Sequence, residues 1–168
     1  MLGSNFGIPT LSEVFDIVGT EVPILIEIKN EEKVGELETL LCSEIEKRQG
    51  TYAIQSFNPF SLQFVKQRCP HILRGQLSQS FKNEKMNVFR KFILKHFLLN
   101  NLSEPHFISY NIDDIPNKKI CSFRKQGIII LGWTITTEKD LDKAKKYCDN
   151  IIFENIGFDN VFSLNKRT

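Results

Sequence analysis

An α/β fold with one parallel sheet is the class this sequence predicts. Short runs rich in Ile, Leu, Phe and Tyr alternate with longer stretches of helical periodicity from end to end. The strand runs are apolar on both faces, so helices must cover the sheet, and each helix then joins two strands that run the same way. No low-complexity linker divides the 168 residues, which fit one globular domain with 41% apolar and 25% charged residues.

The elements follow in order. Thr10-Leu11-Ser12-Glu13 is a capping box, in which Thr10 and Glu13 satisfy each other's backbone N–H, and it opens a helix over 11–18 that Gly19 stops. Strands are expected at 24–29, 52–57, 72–77, 107–111, 128–134 and 151–154. Helices are expected at 33–48, 59–68, 85–99, 117–125 and 138–147, with Asn58 as N-cap and Pro59 at the first helical position. Six strands suit a doubly wound open sheet, since a closed βα barrel needs eight strands and about 250 residues. Against a nucleotide-binding sheet, the first strand runs into Asn30-Glu31-Glu32 and not into a glycine-rich phosphate loop. Both architectures therefore remain open at this point.

Net charge is +2, too small a field to draw nucleic acid, so no nucleic-acid partner is expected. The lysine-rich segments 82–95 and 139–146 mix basic and apolar residues at helical spacing, which reads as solvated helix faces over the sheet. Cys42, Cys69, Cys121 and Cys148 lack paired spacing and read as reduced packing residues. Residues 1–10 have neither a basic start nor an apolar core, and the longest purely apolar run is 128–131, against the roughly 20 residues a span requires. No membrane span and a cytoplasmic location are the expectation.

Chemistry is expected where Pro23-Ile24-Leu25-Ile26-Glu27-Ile28-Lys29 ends. Residues two apart share a strand face, so Glu27 and Lys29 project together at the C-terminal end of a parallel strand, where α/β folds build their sites. A glutamate can hold a hard divalent cation while the ammonium neutralises a phosphate oxygen. The same spacing is equally met by an exposed strand-end ion pair of little energetic weight.

Four segments in register, Ile8-Pro9-Thr10-Leu11-Ser12-Glu13-Val14, Ile26-Glu27-Ile28-Lys29, Gln55-Ser56-Phe57-Asn58-Pro59 and Gly132-Trp133-Thr134-Ile135, resemble the glycerophosphodiester phosphodiesterases. The resemblance covers essentially the whole chain. It implies that the six strands are strands three to eight of a TIM barrel, hence an incomplete, TIM-barrel-derived α/β domain. It further implies hydrolysis of a glycerophosphodiester to sn-glycerol 3-phosphate and an alcohol, with Mg²⁺ or Ca²⁺ as cofactor. Glu27 matches a metal carboxylate, Lys29 a phosphate-contacting lysine, Trp133 an aromatic wall near the glycerol, and Ser56 and Phe57 a structural feature of the pocket.

The family's His-Arg-Gly, its Glu-x-Asp and its second catalytic histidine belong before the 8–14 segment, where this sequence has seven residues. Its histidines, His71, His96 and His106, stand in no matching motif; His71 and His106 each follow a proline at the start of a strand, opposite the expected site. Thr136 and Phe153-Glu154-Asn155 also depart from the family pattern. The expectation is a chain inactive alone, whose open sheet edges seek a complementing polypeptide or a second copy, or leave it a marginally folded remnant of a longer protein. A non-catalytic phosphate-binding protein is the other reading.

Overall fold

A computed structural model describes residues 7–30, 33–82 and 84–157. The expectations about residues 1–6 and about Glu31 and Glu32 lie outside these residues. The described elements are α1 (Leu11–Val18), β1 (Ile24–Ile28), α2 (Glu36–Glu46), β2 (Tyr52–Ser56), α3 (Pro59–Arg68), β3 (Leu73–Ser78), α4 (Val88–Lys95), α5 (Asn100–Ser103), β4 (Phe107–Asn111), a 3₁₀ turn (Ile112–Asp114), α6 (Lys118–Lys125), β5 (Ile129–Ile135), α7 (Glu138–Tyr147) and β6 (Asn150–Phe153).

All six strands pair in parallel, in the spatial order of the chain, β1-β2-β3-β4-β5-β6. A doubly wound sheet needs a reversal of strand order, so that alternative is excluded. Adding each strand on the same side by right-handed crossovers keeps every helix on one face and curls the sheet into a half-barrel. Among the described residues, no strand pairs with the outer edges of β1 and β6.

The period of two along each strand separates two environments. Ile28 of β1 and Ile54 of β2 pack outward on Phe15, Leu41, Ile45, Leu62 and Val65 of the helices, while Ile108 and Ile130 do the same for Ile120 and Leu141. Cys42, Cys69 and Cys148 are buried thiols within these two cores. The alternate set, including Glu27, Gln55, Gly75, Leu77 and Ser109, faces the barrel interior in register. At Gly75 a Cβ would sit 2.0 Å from the Phe107 ring, so the neighbouring strand fills the space that only glycine leaves.

Most boundaries fall within one or two residues of the expected ones, but two helices differ more. α2 begins at residue 36 and not 33, because Gly35 takes a φ of +145° and the Glu38 side chain closes back on its N–H. The single helix expected over 85–99 is α4 followed by the separate turn α5. Asn87 caps the backbone N–H of Phe89 and Arg90, fixing the start at Val88. At the other end Phe97 adopts a φ of +57° and its ring is buried against Phe123 and Tyr110. A left-handed residue costs about 1–2 kcal/mol, whereas burying a Phe ring contributes about 1.5–3 kcal/mol, so burial wins and the helix stops.

Candidate functional site

At the C-terminal ends of the strands lies a cavity of about 480 Å³. β1 contributes Glu27 and then Lys29 and Asn30; β2 contributes Gln55 and then Phe57 and Asn58; β5 contributes Trp133 and Thr134. The third side is the segment after β3, with Gln79, Phe81, Glu84, Met86 and Arg90. The expected residues Glu27, Lys29, Trp133, Ser56 and Phe57 all line this one space.

Hydrogen bonds across the strand ends hold the wall in place. Ser56 Oγ donates to the Ile28 carbonyl at 2.7 Å and accepts from the Asn58 N–H at 3.1 Å, so its hydroxyl serves the backbone. Asn58 accepts from the Phe60 N–H as the α3 cap, and its amide donates to the Asn30 carbonyl at 3.1 Å. The ends of β1 and β2 are thereby stitched together beside Lys29. The aromatic wall is built from rings at steep angles: Phe57 stands 5.7 Å from Trp133 and 6.0 Å from Phe81, centroid to centroid. Phe81 is held at a φ of +55° next to Ser80, whose N–H donates to Asp114 Oδ2 at 2.7 Å. The Trp133 indole N–H is buried and has no hydrogen-bond partner among the described residues.

Glu27 and Lys29 are not paired with one another, and among the described residues neither is hydrogen-bonded or ion-paired. The strand-end ion pair is therefore not what the spacing produces. Arg90 of α4 brings a second cation to the cavity, and Glu84, which accepts from Gln79 Nε2 at 3.1 Å, a second carboxylate. Sequence reasoning assigned both to a solvated helix face. Only the Asn87 cap and the shorter helix, which set Arg90 at the cavity's rim, distinguish them.

The loop that carries Lys29 and Asn30 is anchored by Glu38, which is fully buried. Its carboxylate accepts from Ser61 Oγ at 2.6 Å, the Gly35 N–H at 2.8 Å and Asn30 Nδ2 at 2.9 Å. Burial raises its pKa, but the bonds from Ser61, Gly35 and Asn30 outweigh burial and hold it below the ordinary 4.5. Its contribution to stability is thus present above about pH 4.5 and is lost as pH falls below that value. Glu38→Gln places an amide N–H₂ among donors and should lower stability at neutral pH by about 2 kcal/mol. Urea titrations of both proteins should converge as pH drops below about 4.5; a constant difference down to pH 3 would refute the ionised assignment.

Among the described residues no three His, Cys, Asp or Glu side chains are placed to hold a metal ion. Glu27 alone does not make the cation site the family pattern implies, and these residues do not fit a resident Mg²⁺ or Ca²⁺ without further donors. None of the three histidines lines the cavity. His96 caps the end of α4 with its ring 4.5 Å from that of Phe92. His106 precedes β4, at the far end of the sheet, where Nδ1 accepts the Arg74 N–H at 3.0 Å. Burial, and then the Arg74 charge, push its pKa below 6.5.

The family model for the glycerophosphoryl diester phosphodiesterases matches residues 2–161. Compared by sequence with curated proteins, the chain has no match. A Galdieria sulphuraria protein assigned to the glycerophosphodiester phosphodiesterases is similar in structure, with a TM-score of 0.74 at 18% identity over 96% of this chain. The Thermotoga maritima glycerophosphodiester phosphodiesterase gives 0.62 at 23% identity over 86% of this chain. An Oleispira antarctica phosphodiesterase in complex with the product sn-glycerol-3-phosphate gives 0.58 at 15% over 76% of this chain. The chain spans 66%, 59% and 48% of the lengths of these three. At such identities the structures speak for the half-barrel fold, and the family model for descent: the chain belongs to the glycerophosphoryl diester phosphodiesterase family.

Proposed function

We propose that this chain forms the substrate-holding part of a phosphoric diester hydrolase, which cleaves a glycerophosphodiester with water to sn-glycerol 3-phosphate and an alcohol. The observation that carries the reading is the convergence of Glu27, Lys29 and Trp133 on one cavity at the C-terminal strand ends. Lys29 neutralises a phosphate oxygen. Phe57 and Trp133 wall the glycerol, and the unpartnered indole N–H donates to a substrate oxygen. Glu27 would be one oxygen donor of a Mg²⁺ or Ca²⁺ site that needs further donors to be complete, and such an ion would supply Lewis-acid polarisation of the phosphoryl oxygen.

Protonating the departing alkoxide needs a general acid, and the histidines lie away from the cavity. That acid and the remaining carboxylates come, on this reading, from residues other than the described ones, placed against the open edges of β1 and β6. Alone, the 168-residue chain should release no glycerol 3-phosphate from glycerophosphocholine with Mg²⁺ or Ca²⁺. Metal-dependent release by a purified, folded sample would refute this. Light scattering on the same sample separates self-association from assembly with a different chain. The scarcity of metal ligands among the described residues favours a second reading, a non-catalytic phosphate-binding protein. Turnover restored by adding a polypeptide with the His-Arg-Gly and Glu-x-Asp motifs would decide against it.

A further inference from the structure

The segment 82–95 carries exposed basic residues over a buried Leu94, as a solvated face would, but it exposes large apolar residues as well. Val88 is 82% exposed, Phe89 72% and Phe92 52%, whereas Leu94 is the buried residue of α4. With 3.6 residues per turn, Leu94 lies opposite the stripe formed by Val88, Phe89 and Phe92. The helix thus turns an apolar stripe away from the protein. Lys91 and Lys95 lie along one edge of that stripe, and Lys85 stands in the turn just before the helix. From Lys82 to Lys95 the segment holds five Lys or Arg and one Glu, in a chain whose net charge is +2, so the remainder is net negative. Basic and aromatic residues concentrated on one helix are the composition of an element that lies in a lipid interface.

We infer that α4 and the turn before it dock onto the surface of a bilayer containing anionic phospholipid. Phe89 and Phe92 enter the headgroup boundary, and Lys85, Lys91 and Lys95 meet the lipid phosphates. A second copy of the chain is a poorer occupant, because a two-fold contact through this stripe sets the lysines of both copies against one another. No helix among the described residues is long and apolar enough to cross a membrane, so the attachment is to the surface. Met86 and Arg90 of the same segment line the cavity, so docking brings its mouth to headgroup level. The inference goes beyond the hydrolase reading and does not depend on turnover.

The test is flotation of the full chain with phosphatidylcholine vesicles, with and without about one-third phosphatidylglycerol. Binding to the anionic vesicles should exceed binding to phosphatidylcholine alone and should fall steeply with added salt. Each lysine near an anionic surface contributes roughly fivefold, so Lys85→Gln/Lys91→Gln/Lys95→Gln should weaken binding roughly a hundredfold. Phe89→Asp/Phe92→Asp should abolish it; both rings are exposed, and an unchanged thermal transition checks the fold. No binding of the wild-type chain to anionic vesicles would overturn the inference even if the variants failed to fold. Equal binding by a folded Phe89→Asp/Phe92→Asp protein would overturn it too. Self-association that this variant removes, without vesicle binding, would assign the stripe to a second copy.

Discussion

If Lys29 has the phosphate-binding role proposed above, replacing it by alanine should weaken the binding of sn-glycerol 3-phosphate roughly 10- to 100-fold, with little change in stability. The magnitude follows from the chemistry of one lost contact, since a hydrogen bond to a charged group contributes about 1.5–3 kcal/mol. Lys29 is exposed at the cavity and has no partner among the described residues, so its charge is available to a ligand and nothing buried is orphaned by its loss. Arg90, which lines the same cavity, should supply the residual affinity, and Lys29→Ala/Arg90→Ala should lose nearly all of it. Lys29→Arg should recover only part, because a planar fork does not reproduce a compact ammonium at the end of a strand. Trp133, the sole tryptophan, lines the same cavity and reports binding through its fluorescence. Unchanged affinity in Lys29→Ala would remove the phosphate role from this residue.

The role proposed for Lys29 is one of two options in the local pattern alone, because a two-residue spacing fixes the face and not the partner. The strands were readable for the opposite reason. Each is a run whose apolar residues must be covered, and Thr10 and Asn58 mark helix starts by chemistry contained within four residues. Glu38 could not be read that way. In sequence it is one of several acidic residues on a helix, and its burial depends on Ser61 from α3 and Asn30 from the loop after β1. Nor could α4, because helical periodicity identifies an apolar stripe without saying whether the stripe meets protein or solvent. Strand order was hidden for a related reason. Six strands fit both an open and a curled sheet, and only pairing in chain order separates them. Trp133 stood out through the family resemblance, since a tryptophan near a strand end is as well suited to a core as to a cavity.

Replacing Arg74 by methionine should cost about 3–4 kcal/mol of stability while leaving ligand affinity intact. Arg74 is 4% exposed, and its guanidinium donates to four main-chain carbonyls: Ile72 at 2.8 Å, Pro70 at 3.1 Å, Ser103 at 3.2 Å and Glu104 at 3.4 Å. Burial pulls its pKa below the ordinary value, with the Glu104 charge opposing. The arginine ties the chain before β3 to the turn before β4, and its own N–H and carbonyl close the link through His106. Methionine reaches only to about the position of Nε, so the loss combines the space vacated by the guanidinium with carbonyls stranded without donors, each costing about 1–3 kcal/mol if water does not reach it. Arg74→Lys should restore one or two of these bonds and a corresponding fraction of the stability. Urea denaturation measures the change, and a loss under about 1 kcal/mol would mean that water replaces the guanidinium. Since this cluster closes the end of the sheet opposite the cavity, the Arg74 and Lys29 variants should separate cleanly. One changes the midpoint of unfolding and not the ligand affinity; the other does the reverse. Such independence is what a rigid parallel sheet imposes when it carries its structural bonds at one end and its chemistry at the other.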